Sequence, residues 1–180
     1  MKYQKIIDAI KFGKMSRADL FELRNNAIFK QKQGDQDAHY VVEAVNHASP
    51  HDDCVLFMGF CPSADTSNRL DVDWKEKGIC YYDYLENEVQ TNRFGTICAG
   101  DLVILKKNAI LGKTMTLHGF GRVIQIAYDD TNIRYLKMIW SAQESVIKVP
   151  AMAATVTVNI RLMSQVEQVM PPAFADWLSA

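Results

Sequence analysis

The sequence predicts an α+β protein in which an N-terminal helical arm precedes a small, mostly antiparallel β-barrel and short C-terminal helices. Residues 1–50 repeat apolar side chains at intervals of three and four, which is typical of amphipathic helices. From Cys54 onward the chain carries short apolar or alternating runs of strand length. Roughly six such runs follow one another, and closing them into a barrel would remove exposed sheet edges. We therefore expect a helical arm (residues 1–50) and a β-rich domain (residues 51–180).

Three short helices are predicted in the arm. The first carries isoleucines at helical spacing and is expected to stop at Gly13. Ser16 and Asp19 have the spacing of a helix N-cap followed by an acid three residues later, so the second helix should begin there. The third is expected to end before Pro50, because proline pushes the preceding residue out of the α conformation.

The β-rich domain is predicted strand by strand. The apolar run after Cys54 is typical of a buried strand, and the polar residues 62–77 are expected to form a long loop. Gly119 and Gly121 predict a β-bulge or a close backbone approach. The expected strands are residues 55–60, 78–82, 101–107, 115–128, 133–140, 146–149 and 154–161, with turns at 108–113 and 129–132 and helical segments at 84–92, 162–169 and around 174–178.

Composition narrows the class of protein. A hydrophobic fraction of 48% with 23% charged residues is ordinary for a globular chain, which argues against disorder. The net charge of −1 gives no overall attraction to nucleic acid or membranes, so a polyanion would need a local basic patch. There is no apolar run of membrane-spanning length, no signal-peptide pattern and no CxxC pair among the four cysteines. We therefore expect a cytoplasmic protein with reduced, mostly buried thiols and no membrane partner.

One hairpin carries a family resemblance. Gly100 and Asp101 open an apolar strand that ends in Lys106 and Lys107, and the next strand contains the step His118-Gly119-Phe120-Gly121-Arg122-Val123. This pattern resembles the central hairpin of PUA-like domains, the superfamily that includes the EVE, ASCH and YTH modules. The resemblance extends over residues 54–161 and rests mainly on this hairpin. Residues 17–20, 23–27, 57–62 and 117–123 are also similar to uncharacterised proteins of bacterial mobile gene cassettes, which imply no function.

The PUA-like resemblance implies nucleic-acid binding, often through a pocket that holds a modified or flipped base. Such a pocket needs aromatic faces for stacking and polar groups for the base edge, while lysines can contact phosphates. The expected partner is DNA or RNA, and the predicted contact residues are Trp74, Arg93, Lys106, Lys107, Lys113, His118, Arg122 and Trp140.

Alternatives remain open at this point. Asp71, Asp73 and Lys75 have the spacing of a metal-dependent nuclease, and His47, His51, Cys54 and Cys61 are compactly spaced for zinc. A non-catalytic, self-associating protein is the third alternative, since Phe174, Trp177 and Leu178 would suit a homo-oligomeric surface if they were exposed. No cluster specifies a reaction, so no catalytic residue, metal site or cofactor is assigned, and a binding role is favoured over an enzymatic one.

Overall fold

The computed structural model of the chain describes residues 2–13, 15–50, 53–61, 68–154 and 156–180. The helices are α1 (Gln4–Lys11), α2 (Arg17–Lys32), α3 (Ala38–Asn46), α4 (Asp71–Lys77), α5 (Glu88–Gly95), α6 (Met163–Val169) and α7 (Pro172–Ser179). The strands are β1 (Cys54–Gly59), β2 (Ile79–Tyr81), β3 (Leu102–Ile110), β4 (Thr114–Tyr128), β5 (Arg134–Trp140), β6 (Ile147–Pro150) and β7 (Val158–Leu162).

The strands form one sheet in the order β2-β5-β4-β3-β1-β7, and the predicted α+β class is confirmed. The pairing is antiparallel except between β1 and β3, which are parallel. The long strand β4 pairs with β5 along its C-terminal half and with β6 along its first four residues. Within the described residues no ladder joins the edge strands β2 and β7, so the sheet is open and the expected barrel closure is wrong.

Strand β1 is apolar because both of its faces are buried. Leu56 and Met58 belong to one hydrophobic core, whereas the alternate residues Val55 and Phe57 belong to a second core. Successive side chains of a strand point to opposite faces, so β1 is covered on both sides. Trp74 of α4 and Phe94 of α5 contribute to the first core. The C-terminal helices contribute to the second, and α1, α2 and α3 pack on one another in a third cluster.

The beginning of α2 is confirmed at the predicted cap. The Ser16 hydroxyl accepts a hydrogen bond from the backbone N–H of Asp19 at 3.1 Å. In return, the Asp19 carboxylate accepts from the backbone N–H of Ser16 at 3.2 Å. This reciprocal arrangement satisfies two amide groups that the helix itself leaves unpaired.

The predicted loop over residues 62–77 is wrong in its second half, where α4 forms; residues 62–67 lie outside the described residues. Asp71 and Trp74 are buried, and Gly78 ends the helix in the left-handed conformation with φ of 63°. Acids in the first turn and lysines in the last complement the helix dipole. The helix has only seven residues, and it buries the polar Asp71 while exposing Val72, so no periodic apolar pattern appears.

Two strand boundaries also differ from the predictions. Strand β3 continues through Ile110, where a turn was expected, because its residues keep pairing with β4 up to Thr114. Strand β7 begins at Val158 and not at residue 154, and both Val158 and Asn159 are buried although clean alternation was expected. The remaining predicted hairpin, β4 with β5, is confirmed.

The C-terminal apolar residues are not an exposed surface. Phe174 and Trp177 are each 3% exposed, and the Trp177 indole N–H donates to the carbonyl of Ser145 at 2.8 Å. They fasten α7 onto the sheet, so the self-association hypothesis loses the residues on which it was based. None of the helices in the described ranges combines the length and apolarity needed to cross a membrane.

Candidate functional site

Two of the predicted contact residues belong to the interior, and a third, Trp140, is half-buried against the core. Trp74 has no exposed surface, and its backbone carbonyl accepts a hydrogen bond from the Trp140 indole N–H at 3.0 Å. Lys106 is 3% exposed, and its ammonium donates to the carbonyl of Ala154. Burial lowers the pKa of Lys106 to about 8. The expectation that Trp74 stacks on a base and that Lys106 meets a phosphate is therefore wrong, and Trp140 is held as a structural partner of Trp74.

The Gly100-Asp101 pair, on which the family resemblance partly rests, holds α2 against the sheet. Asp101 is 4% exposed, and its carboxylate accepts from the Arg17 guanidinium at 2.5 and 2.7 Å and from the Cys98 N–H at 2.7 Å. Burial alone would lower the pKa of Arg17, but the hydrogen bonds and charge of Asp101 outweigh it and hold that pKa above its usual value. This bidentate pair is a structural connection between α2 and β3.

Both glycines of the following step permit close approaches, as predicted. A Cβ at Gly121 would lie 2.7 Å from the carbonyl oxygen of Ile139 and from the Trp140 ring. A Cβ at Gly119 would lie 2.8 Å from the Lys75 ammonium. The ladder between β3 and β4 shifts between Leu105 and Lys106, so the predicted bulge is also present and falls at His118.

This bulge gathers a small group of cations. The Lys75 ammonium donates to the His118 carbonyl at 3.1 Å, and the His118 ring packs edge-on against Phe60 at 5.0 Å. Partial burial lowers the pKa of His118, and Arg69, Lys107 and Lys75 lower it further. Of the predicted residues, only Lys107 and His118 are brought together here.

Lys113 and Arg122 remain isolated on the surface. Lys113 is exposed in the turn between β3 and β4, and Arg122 is exposed and donates to the Gly100 carbonyl at 3.0 Å. The principal cavities of the described chain contain no residue of 101–123 in their lining. The expected aromatic pocket at this hairpin is therefore not found.

Arg93, the last predicted residue, lies in a cleft of about 690 Å³ between α2, α5 and β7. We call it the arginine–asparagine cleft; its lining residues are Phe21, Asn25, Asn92, Arg93, Thr96, Asn159, Ile160 and Arg161. Among the described residues that line it, the charged ones are the two arginines, so the cleft is locally cationic in a chain whose net charge is −1. This volume lies within the range of pockets that hold small organic ligands.

The two arginines differ in how they are held. Arg161 donates to the carbonyls of Ile160 at 3.0 Å and Met152 at 3.2 Å, so its guanidinium is fixed against β7. The guanidinium of Arg93 is exposed and forms no ion pair with another described residue. Arg93 is thus free to reach an anionic group on a ligand, while Arg161 supplies a charge at a fixed position.

The most informative atom of the cleft is the side-chain oxygen of Asn159. Asn159 is 5% exposed, and this oxygen is buried without a hydrogen-bond partner among the described residues. An unpaired buried carbonyl oxygen costs roughly 1–3 kcal/mol, so such atoms normally have a donor. Phe21 is half-buried and lies against Gly95, where an added Cβ would be 3.4 Å from its ring. The cleft therefore combines cations, amides and one aromatic ring.

The edge of β7 beside the cleft is closed to strand addition. The Gln90 side chain accepts a hydrogen bond from the Val158 N–H at 2.8 Å, and the Ile160 carbonyl is occupied by Arg161. The Leu162 N–H donates to the side chain of Gln165 at 3.4 Å. Side chains that occupy the backbone N–H and C=O groups of an edge strand discourage pairing with another strand. We therefore expect a ligand of the cleft to contact side chains and not the backbone of β7.

The metal hypotheses find no support in the described parts of the chain. Asp71 is hydrogen-bonded to Arg69 at 2.6 and 2.9 Å, and Asp73 pairs with Lys77 at 2.6 Å. Both acids lie on α4. A nuclease site of this spacing would require them on a strand. Cys54 is buried in β1 and His47 is exposed after α3, while His51 lies outside the described residues. Across the described ranges, no group of three metal-ligating side chains occurs.

The chain matches no protein-family model, no curated protein and no solved structure. The site must therefore be judged by its own chemistry.

Proposed function

We propose that the chain is a nucleic-acid-binding module that receives one unpaired nucleotide of a single strand in the arginine–asparagine cleft. The observation that carries this proposal concerns the described residues that line this cleft: the charged ones are both arginines, and Asn159 has a buried side-chain oxygen with no hydrogen-bond partner among the described residues. A nucleotide offers the matching groups, because its phosphate is anionic and its base edge carries N–H donors.

Arg93 and Arg161 would contact the phosphate. Guanidinium groups form bidentate, charge-assisted hydrogen bonds with phosphate oxygens, which makes them stronger than neutral contacts. No carboxylate of the described part of the chain lines the cleft to compete for them. A polyanion therefore gains from both charges, although the chain as a whole is slightly acidic.

The amides would read the base. Asn25 and Asn92 are exposed at the cleft and present both a donor and an acceptor, and the Asn159 oxygen would accept a base N–H. Phe21 supplies a surface against which a splayed base can stack. Unpaired bases are the species that can enter such a cleft, so single-stranded DNA or RNA should bind better than duplex.

The PUA-like resemblance supports the same class of ligand by analogy, since that superfamily implies nucleic-acid binding. The proposal departs from the predicted contact set, because of those eight residues it retains only Arg93. Probes made of DNA and of RNA distinguish the two kinds of strand.

The test is fluorescence anisotropy with labelled single strands of about twelve nucleotides, as DNA and as RNA, at low salt. The variant Arg93→Gln should weaken binding by roughly tenfold, the size expected for losing one charge-assisted contact. Its thermal unfolding should match that of the unchanged chain, because the Arg93 side chain is exposed.

The matched control is Arg122→Gln, which removes the same charge from an exposed arginine on the hairpin. It should weaken binding by less than about twofold, as expected for a distant screened charge. If Arg122→Gln weakens binding and Arg93→Gln does not, the hairpin and not the cleft is the interface. Absence of binding by either strand at low salt would reject nucleic-acid binding altogether.

A further inference from the structure

A second concave surface lies at the opposite edge of the sheet, where β2 and β5 meet the turn after β4. Its volume is about 550 Å³, and its character is the reverse of the first cleft. We call it the tyrosine–aspartate groove; its lining residues are Lys77, Ile79, Tyr81, Asp83, Tyr128, Asp129, Asp130, Ile133 and Tyr135.

The aromatic part of this groove is held in place by the sheet. Tyr81 of β2 is the direct partner of Tyr135 of β5 in the antiparallel ladder, so the two side chains stand side by side. Behind Tyr81 lies the buried Trp74 ring, edge-on at 5.5 Å. The Arg24 guanidinium covers the Tyr128 ring at 4.6 Å from its centre. Tyr81 and Tyr135 are therefore the rings that remain open to a ligand.

The charge of the groove is negative. Asp83, Asp129 and Asp130 are all exposed along it. Lys77 is the one cation among the described residues of the lining, and its ammonium already pairs with Asp73 at 2.6 Å. Three carboxylates thus face the groove with little local compensation.

The turn that carries two of these acids is held together by hydrogen bonds to the Asp129 carboxylate. One Asp129 oxygen accepts hydrogen bonds from the Thr131 N–H, the Thr131 hydroxyl and the Ile133 N–H at 2.8 to 2.9 Å. Asn132 takes the left-handed conformation with φ of 64°, which closes the turn. The backbone hydrogen bond from Ile133 and the side-chain bond from Thr131 lower the pKa of Asp129, so its charge persists into mildly acidic solution.

We propose that the tyrosine–aspartate groove binds a small aliphatic amine that carries two or more ammonium groups. The electron-rich face of a tyrosine ring attracts a cation, and the same face covers the methylene carbons between the charges. Carboxylates spaced along the groove would pair with the ammonium groups. A linear polyamine satisfies both features together, whereas a nucleic-acid strand would be repelled by the acids.

A simple metal cation fits the groove less well. An oxygen of Asp129 already accepts three hydrogen bonds, and within the described residues no three metal-ligating side chains come together. The tyrosine rings would contribute nothing to a small hydrated ion such as Mg²⁺. The organic part of the ligand is therefore essential to the proposal.

The test is isothermal titration of the full chain with spermidine in a buffer of fixed ionic strength. We expect saturable one-to-one binding that equimolar Mg²⁺ does not displace. The double variant Asp83→Asn with Asp130→Asn should weaken binding by roughly tenfold, and Tyr135→Leu by roughly fivefold, because leucine keeps apolar area but loses the ring face. The control is Glu144→Gln with Glu167→Gln, which removes two exposed acids elsewhere and should change the affinity less than about twofold.

Several results would overturn the proposal. These are the absence of saturable binding, equal weakening by the control pair, full retention of binding in either groove variant, or displacement by Mg²⁺ at the same concentration. None of the substituted residues lines the arginine–asparagine cleft, so failure here leaves the nucleic-acid proposal untouched. Failure of that proposal likewise leaves this one standing.

Discussion

The buried ammonium of Lys106 makes the stability of the fold depend on pH in a specific way. Lys106 is 3% exposed on β3, and its one recorded hydrogen bond within the described residues goes to the carbonyl of Ala154. Desolvation lowers its pKa from 10.5 to about 8 in the folded chain. Replacing it with methionine, which has similar length and no charge, should therefore stabilise the protein at neutral pH.

The magnitude and sign follow from proton linkage. Below about pH 8 both the folded and unfolded chains hold the proton, so the full cost of burying the charge is present. Between about pH 8 and 10.5 the unfolded chain holds more protons, so the unchanged protein gains stability as pH rises. A shift from 10.5 to about 8 corresponds to roughly 3 kcal/mol. The stability advantage of Lys106→Met should shrink by about that amount across this window.

The assay is urea unfolding of both proteins from about pH 7 to about pH 10.5, with the difference in unfolding free energy as the readout. Taking the difference cancels the titration of groups that both proteins share. Lys107→Met is the control, because it removes the neighbouring ammonium group from a side chain that is only partly buried. A constant difference for Lys106→Met would refute the assignment of Lys106 as a buried charge.

Two further substitutions test how the hairpin is held. Arg17→Met should lower the free energy of unfolding by roughly 3–5 kcal/mol, because it strands the buried Asp101 carboxylate; adding Asp101→Leu should restore part of that loss. Gly121→Ala should cost roughly 1–3 kcal/mol, because the new methyl group would lie 2.7 Å from the β5 backbone and the Trp140 ring. Both are measured by urea unfolding.

Each of these two predictions has a result that would contradict it. If Arg17→Met alone is as stable as the double variant, the ion pair does not connect α2 to the sheet. If Gly121→Ala unfolds at the same urea concentration as the unchanged chain, β4 and β5 are not as closely packed as described.

The local features of the fold were predictable because their signals are local. The cap at Ser16, the end of α1 near Gly13 and the hairpin of β4 with β5 all follow from residues within a few positions of one another. The close approaches at Gly119 and Gly121 and the bulge beside them at His118 are also local features. Helix α4 was missed because burial of Trp74 depends on distant strands, and seven residues hold too few turns for a pattern to emerge.

The arrangement of strands was not predictable in the same way. β1 pairs in parallel with β3 across more than forty intervening residues, and it also pairs with the last strand, β7. Such pairings depend on long-range register, which periodicity does not contain. The open sheet and the absence of barrel closure in the described chain follow from that arrangement.

In the candidate site, too, local features were predictable and long-range contacts were not. Arg93 was predicted, but its neighbours Phe21 and Asn159 come from elements far away in the chain, with no spacing that links them. Trp74 and Lys106 were assigned to a surface because their residue types suit one, and only packing reveals that both are buried. The PUA-like resemblance and the nucleic-acid function remain predictions.

The measurement that most directly tests the central claim is an NMR titration of the labelled chain with a single-stranded oligonucleotide. The side-chain amides of Asn25, Asn92 and Asn159 report on the cleft itself, and the backbone amide of Lys107 reports on the hairpin. We predict that the largest chemical-shift changes cluster on the three asparagine amides, with the change at Asn159 reflecting a new donor to its buried oxygen. Changes confined to the region of Lys107 and His118, or no change at any of these groups, would contradict the proposal.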